Sequence, residues 1–222
     1  MTSILFQLLL AAPTVVHAQN HEVSLNTGFI GTQDENWEKI QFNRTVPGAG
    51  LSLGTRVGEN LSGLVSFQTG TVGTRIFIDE EGGDNGDEWT AWDEPSFNIA
   101  ATVDQYAVGA KWRIQWRPRF TSTLTGSAIV AHGRLRMDED IEMEGSEVEL
   151  KYVSVKPGAA IGTGIEYAPV SLPNKSVLFT IGAELGYAYI APLNFKDQDS
   201  AQDPLDIGKL DMHGAYMRWS VG

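Results

Sequence analysis

The 222-residue chain contains no cysteine. A disulfide framework and a thiolate metal site are therefore both excluded. Basic residues are also few: 16 Lys and Arg stand against 28 Asp and Glu, which gives a formal net charge of -12. Because a surface that binds nucleic acid needs a concentrated basic patch, this balance argues against nucleic acid as a partner.

Long hydrophobic runs are absent as well. The apolar run at residues 4–12 is much shorter than the roughly 20 residues that a spanning helix needs, and no later segment comes close. The run is typical of a secretory signal peptide, and small residues occupy the cleavage positions before Gln19. We therefore predict a signal peptide over residues 1–18 and a mature domain over residues 19–222. Any crossing of a membrane must then be made by β-strands.

Apolar and polar residues alternate with period 2 through most of the mature chain, as they do in half-buried strands. In residues 105–116 (QYAVGAKWRIQW), aromatic and aliphatic side chains including Trp116 share one face, whereas small residues with Lys111 and Arg113 share the other. In the third segment the apolar parity switches, which predicts a bulge near Gly73. The eight predicted strands are residues 22–32, 48–57, 63–78, 105–116, 122–137, 153–167, 177–189 and 213–222.

The connections between these segments alternate between short and long. This alternation is typical of an up-and-down β-barrel with turns at one end and loops at the other. The long connections contain 22 of the 28 acidic residues. The sequence therefore predicts an all-β, eight-stranded antiparallel transmembrane barrel whose acidic loops lie in water outside the cell.

Alternation alone does not say which face points into the barrel. The mixed face is built mainly from Gly, Ala, Ser and Thr, which fit the crowded lumen of an eight-stranded barrel. Aromatic residues lie near strand ends on the other face, where their rings suit the headgroup zone of a bilayer. The apolar face should therefore contact lipid.

The interior would then contain seven charged side chains. Because a lone buried charge is costly, we expect them to pair across strands, with the two glutamates as the anionic centre. We interpret the network as filling and rigidifying the barrel, and a gate or a proton-selective pore is the alternative. The residues are Arg56, Lys111, Arg113, Lys156, Arg218, Glu166 and Glu184.

With the segments GAAIGTGIEYAP (residues 158–169) and GAELGYAY (residues 182–189), this pattern resembles the small outer-membrane β-barrels of Gram-negative bacteria, of the OmpA or OmpX transmembrane type. The resemblance covers residues 21–222 and implies export through the periplasm and insertion into the cell outer membrane by the barrel-assembly machinery. Outer-membrane lipid and lipopolysaccharide would surround the barrel, and we expect no peptidoglycan-binding domain. The barrel-assembly machinery typically recognises a last strand that ends in an aromatic residue. Because this chain ends at Gly222, we expect a few further residues in the complete protein.

Some barrels of this kind are enzymes that modify lipid A with a histidine, a serine and an acid. His132 and His213 are the candidates here, besides His21 at the start of the barrel. Neither His132 nor His213 has a serine two residues away, and no strand-to-helix nucleophile elbow is predicted. We therefore predict no catalytic residue and no enzymatic activity.

Clustered carboxylates raise the question of a metal site. In residues 138–149 (DEDIEMEGSEVE), Met143 stands where an EF-hand loop requires Gly. Residues 79–88 (DEEGGDNGDE) offer hard oxygen ligands for loose association with Ca²⁺ or Mg²⁺. We predict no dedicated metal or cofactor site, and treat the acidic loops as a candidate surface for divalent cations or a cationic partner.

The function predicted from the sequence is therefore structural or surface interaction, carried by the acidic loops. Three alternatives remain open. The barrel could be a narrow pore for small solutes, a lipid-modifying enzyme, or a secreted soluble barrel that binds a ligand inside.

Overall fold

A computed structural model describes residues 21–34, 37, 44–77, 96–139, 149–171, 178–195 and 209–222. The predicted signal peptide and most residues of the four long connections lie outside these ranges. Among the described residues, no helix is long and apolar enough to cross a membrane.

Eight antiparallel strands close into a ring in which every strand pairs with its neighbours in the sequence and β1 pairs with β8. This ring confirms the predicted fold class. The strands are β1 (His21–Gly31), β2 (Thr45–Arg56), β3 (Leu61–Phe77), β4 (Ser96–Arg117), β5 (Phe120–Glu139), β6 (Glu149–Ser171), β7 (Leu178–Asn194) and β8 (Lys209–Val221).

The two ends of the barrel differ in their connections. Residues 57–60, 118–119 and 172–177 link β2 to β3, β4 to β5 and β6 to β7, and we call this end the turn end. The four longer connections join strands at the opposite end, which we call the loop end. The predicted alternation of short and long connections is thereby confirmed.

Strands β4 to β6 are the longest, with 22, 20 and 23 residues, against 17 for β3 and β7 and 11 to 13 for β1, β2 and β8. The pairing of β3 with β2 ends at Thr69, and the pairing of β6 with β7 begins at Gly158. In the described chain, β3 to β6 therefore continue past the other strands at the loop end as a four-stranded extension.

The predicted bulge near Gly73 is wrong. The β3–β4 ladder runs from Leu61 to Phe77 without a shift in register. What changes along these strands is the polarity of the inward face. Val72 and Ile99 are buried inside the loop half, where apolar residues face inward instead of outward. A switch of apolar parity in the sequence therefore records a change of environment and not an inserted residue.

The interior has two layers. In the turn half it is polar, with buried Ser24, Asn26 and Ser52 from β1 and β2. In the loop half it is filled by a group of inward apolar side chains that we call the apolar cluster. Its members are Ile30, Trp37, Val46, Val72, Ile99, Ala101, Val103, Ile129, Ala131, Leu135, Met137, Tyr152, Ile190, Leu193, Phe195, Leu210 and Met212.

Candidate functional site

The outer surface of the barrel is apolar over most of its circumference. Large hydrophobic side chains that would be buried in a soluble protein are exposed here, as shown by Leu25 at 66% and Val108 at 59% of their full accessible area. A continuous apolar surface of this kind is rare on soluble monomers. We call it the apolar belt; its outward residues include Val23, Leu25, Leu51, Val65, Phe67, Tyr106, Val108, Trp112, Ile114, Trp116, Leu124, Val130, Ile161, Ile165, Ile181, Leu185, Tyr187, Tyr189 and Trp219.

Aromatic rings line the belt at the turn end. The ring centroids of Trp116 and Phe120 are 6.4 Å apart, and those of Phe120 and Tyr167 are 4.8 Å apart. These three residues flank the β4–β5 turn and the facing part of β6, so they mark one border of the belt. Amphipathic rings favour the boundary between water and the apolar part of a bilayer.

The lumen of the turn half contains a first charged network across three strands. The Lys111 amine lies 2.5 Å from the Glu22 carboxylate and 2.9 Å from that of Glu166. The Arg113 guanidinium donates to both carboxylates, at 3.1 Å to Glu166, and to the Ser62 hydroxyl at 2.6 Å. Each cation thus contacts two anions, which compensates for the water that these side chains lose in the lumen.

A second network surrounds Glu184 on β7. Its carboxylate accepts hydrogen bonds from the Arg218 guanidinium at 2.5 Å, the Tyr216 hydroxyl at 2.7 Å and the Thr125 hydroxyl at 2.9 Å. Glycine makes room for these groups, since a Cβ atom at Gly186 would lie 2.6 Å from the Tyr216 ring. Gly186 is therefore required at this inward position because a larger residue would collide with Tyr216, which the alternating pattern alone does not predict.

The structure thus divides the single anionic centre expected from the sequence into two. Glu166 and Glu184 are each paired, but with different cations and on separate networks. Among the described residues, neither Arg56 nor Lys156 forms an ion pair, so their predicted membership is wrong. Sequence reasoning missed Glu22, although its position two residues before inward Ser24 on β1 was a usable signal.

Small cavities lined by both polar and apolar residues accompany the networks. One of about 30 Å³ is lined by Asn26, Ser52 and Lys111, among others, and one of about 50 Å³ is lined by Gln68 and Gln105, among others. These volumes suit a few water molecules and nothing as large as an organic ligand. Beyond them, towards the loop end, the lumen is filled by the apolar cluster, in which Leu193 and Leu210 are completely buried.

Among the described residues, no candidate histidine is both hydrogen-bonded to a hydroxyl and paired with a carboxylate. His132 Nδ1 lies 3.8 Å from the Asp104 carboxylate on the outer face, but the neighbouring Thr69 hydroxyl donates to Asp104 and not to the imidazole. The His213 ring lies beside Tyr189, with centroids 6.3 Å apart. His21 contacts the Thr55 hydroxyl at the turn end.

Among the residues that the structure describes, no three potential His, Asp or Glu ligands gather at one point. Residues 79–88, predicted to attract divalent cations, lie outside the described residues, as does Met143.

No family model and no curated protein matches the chain. Among solved structures, the chain is similar to Ail, the attachment invasion locus protein of Yersinia pestis, in complex with the heparin analogue sucrose octasulfate. The two are 12% identical over 91% of this chain and 95% of that one, with a TM-score of 0.44. Neisserial surface protein A (NspA) is 12% identical over the same shares, with a TM-score of 0.46.

The closed ring of eight antiparallel strands in this chain agrees with the fold that the resemblance inferred from the sequence implies.

Proposed function

We propose that the protein spans the outer membrane as a closed, non-catalytic barrel and acts in membrane structure or surface interaction through its loop end. The observation that carries the proposal is the reversed polarity of the turn half, where apolar side chains face outward and the charged networks face inward. A closed ring leaves no backbone group of the spanning segment unpaired in lipid. Export through the periplasm, insertion by the barrel-assembly machinery, contact with outer-membrane lipid and lipopolysaccharide, and binding of a cationic partner or divalent cations by the acidic loops belong to the same proposal.

The structure supports this role over the three alternatives. A secreted ligand-binding barrel would carry its apolar face inside a cavity, whereas here the described cavities are small and the large exposed apolar side chains face outward. A pore needs a wet path from end to end, whereas the apolar cluster fills the loop half. An enzyme of the lipid-modifying kind needs a hydroxyl, a histidine and an acid in contact with one another. No described hydroxyl is hydrogen-bonded to His132 or His213, and His21, which contacts the Thr55 hydroxyl, is paired with no described carboxylate.

A pair of valine substitutions tests the membrane-spanning belt. Val108 lies in the middle of the belt on β4 and Val57 lies beyond it at the turn end, with 59% and 67% of their areas exposed. We expect Val108→Lys to destabilise the barrel in lipid vesicles by about 2–4 kcal/mol and Val57→Lys by about 0–1 kcal/mol, because only the former places an ammonium group in hydrocarbon. Urea titration followed by gel mobility without boiling measures both.

Equal costs at the two positions would contradict the proposal. So would recovery of the wild-type protein in the soluble fraction with the same gel mobility before and after boiling.

A further inference from the structure

The β4–β5 turn places an arginine on the outer face of the barrel, at the border of the apolar belt. In the β4–β5 ladder, Gln115 is opposite Thr121 and Arg117 is opposite Phe120, so Trp116 is an extra residue on β4 and forms a β-bulge. Residues directly opposite each other in an antiparallel ladder share a face of the sheet. Arg117 therefore points outward with Phe120, whereas regular alternation along β4 would turn it into the lumen.

Arg117 lies at the level of the aromatic rings that border the belt. Phe120 is opposite Tyr167 in the next ladder, and their ring centroids are 4.8 Å apart. Arg119 follows in the two-residue turn, one step farther from the belt, and both arginines are exposed. We call Arg117 and Arg119 the turn arginines. They lie at the level where amphipathic rings meet the headgroup zone of a bilayer.

The turn end is basic, although the protein as a whole is acidic. The three connections at this end contain a single acid, Glu59, against two cations, Arg119 and Lys175. Arg56 and Arg117 at the adjoining strand ends add two further positive charges. Because the long connections at the opposite end contain 22 of the 28 acids, the turn end is the positive pole of a chain whose net charge is -12.

The turn arginines have no partner of their own in the part of the chain that the structure describes. Neither guanidinium is hydrogen-bonded or ion-paired there. The two glutamates of the first charged network, Glu22 and Glu166, are each paired with Lys111 and Arg113 inside the lumen. The positive charge of the turn arginines is therefore available to an anion from outside the protein.

We propose that the turn arginines bind the phosphate group of an anionic phospholipid in the leaflet at the turn end, while the rings of Trp116 and Phe120 contact the acyl chains of the same lipid. Guanidinium groups match phosphate oxygens in a paired, planar geometry. A lipid fits this surface better than a soluble anion, because Arg117 shares its face and its level with the aromatic border of the belt. The inference rests on the proposed membrane-spanning role and adds to it a lipid chemistry and a place.

The absence of cysteine allows a probe beside the turn arginines. Ser122 on β5 shares the outward parity of Leu124 and lies two residues from Phe120, so a single Ser122→Cys variant carries a fluorophore on the lipid-facing side. The labelled protein is folded into phosphatidylcholine nanodiscs that contain either brominated phosphatidylglycerol or brominated phosphatidylcholine, which share the quencher and differ in the headgroup. We expect phosphatidylglycerol to quench at a mole fraction at least about fivefold lower, since one Lys or Arg near an anionic membrane surface contributes about that factor.

Two double variants in the same labelled background separate the turn arginines from general charge. Arg117→Gln/Arg119→Gln should remove the preference for phosphatidylglycerol. Arg134→Gln/Arg136→Gln removes the same charge from exposed positions on β5 towards the loop end and should leave the preference unchanged. Equal quenching by the two lipids in the parent protein, or an equal loss of preference in both double variants, would overturn the proposal.

A soluble phosphate tests the occupant. Glycerol 3-phosphate has the phosphate without acyl chains, and an excess of it at constant ionic strength should not reverse the quenching by phosphatidylglycerol. Recovery of the fluorescence would overturn the assignment to a lipid. The gel mobility of each sample without boiling reports separately whether the barrel is folded in the membrane, so a failure of the proposed function is distinguished from a failure of the lipid site.

Discussion

At the scale of single residues, Glu184 shows how the lumen accommodates charge. One carboxylate accepts from a guanidinium and a phenol on β8 and from a hydroxyl on β5. When one partner of a buried ion pair is removed, the remaining charge is uncompensated. The resulting loss of stability is larger than the net stability that the intact pair provides. Loss of the Glu184 carboxylate should therefore destabilise the barrel more than loss of any one of its three donors, Arg218, Tyr216 and Thr125.

Replacing the carboxylate by its amide isolates this charge. We expect Glu184→Gln to lower the free energy of unfolding by about 3 kcal/mol, because it leaves the Arg218 cation in the lumen without its anion. The double variant Glu184→Gln/Arg218→Gln should recover part of that loss. Urea unfolding in vesicles, followed by tryptophan fluorescence, measures both. A single variant no less stable than the double variant would contradict the reading.

The charged residues also show where sequence reasoning ends. Inward parity was sufficient to place Lys111, Arg113, Glu166, Glu184 and Arg218 in the lumen, because their strands alternate regularly. Whether a residue is odd or even in its strand does not say how far along the barrel axis its side chain lies. Arg56 shares a strand with inward residues but lies at its turn end, and Lys156 lies level with the apolar half, so both miss their expected partners.

At the scale of elements, the long strands serve two environments. On β4, the residues from Tyr106 to Trp116 place apolar side chains outward, whereas Ile99 and Val103 place them inward. Apolar and polar residues still alternate at this point, but the apolar residues move from the outward to the inward positions. A prediction that assumes one apolar face along the whole strand therefore ends the strand there. The predicted fourth strand accordingly began at residue 105, nine residues after the observed start at Ser96.

The apolar cluster is the element that closes the lumen. Ile190 pairs with Met212 and Leu193 pairs with Leu210 across β7 and β8, and all four are fully buried. We expect the wild-type protein to be silent in planar bilayers and the variant Ile190→Ala/Leu210→Ala/Met212→Ala to conduct ions, because removing these side chains leaves space that water can enter.

The control for this experiment is Lys111→Met/Glu166→Gln, which disrupts a charged network at the turn half and leaves the cluster intact. It should stay silent. Conductance in the control at the level of the cluster variant would show that the ion pairs, and not the apolar side chains, close the lumen.

At the scale of the whole molecule, the order of the strands, the closed ring and the outward apolar face all follow from the sequence. Eight alternating segments with alternating connection lengths leave few topologies to choose from. The unequal strand lengths do not follow, because they depend on how far the sheet continues beyond the belt. That distance is set by packing against the apolar cluster, including Trp37, whose indole donates to the Asp211 carbonyl at 2.7 Å.

Orientation in the cell is tested with single cysteines at the two ends. Gln33 lies at the loop end and Glu59 in the β2–β3 turn, and both are exposed. In intact cells, a membrane-impermeant maleimide should label Gln33→Cys at least about tenfold more than Glu59→Cys, since only the loop end faces the medium in an up-and-down barrel of this kind. Both should react equally in detergent. Preferential labelling of Glu59→Cys in intact cells would reverse the orientation.

Most of the side chains that close the lumen belong to strands. Apart from Trp37 and Phe195, the cluster therefore needs no side chain of the longer connections to close the lumen. Their sequences and lengths can change, or a foreign peptide can be grafted into them, at little cost to the wall beneath. A protein built in this way separates the part that must stay constant from the part that meets the surroundings, and it offers a ready scaffold for displaying new segments at a cell surface.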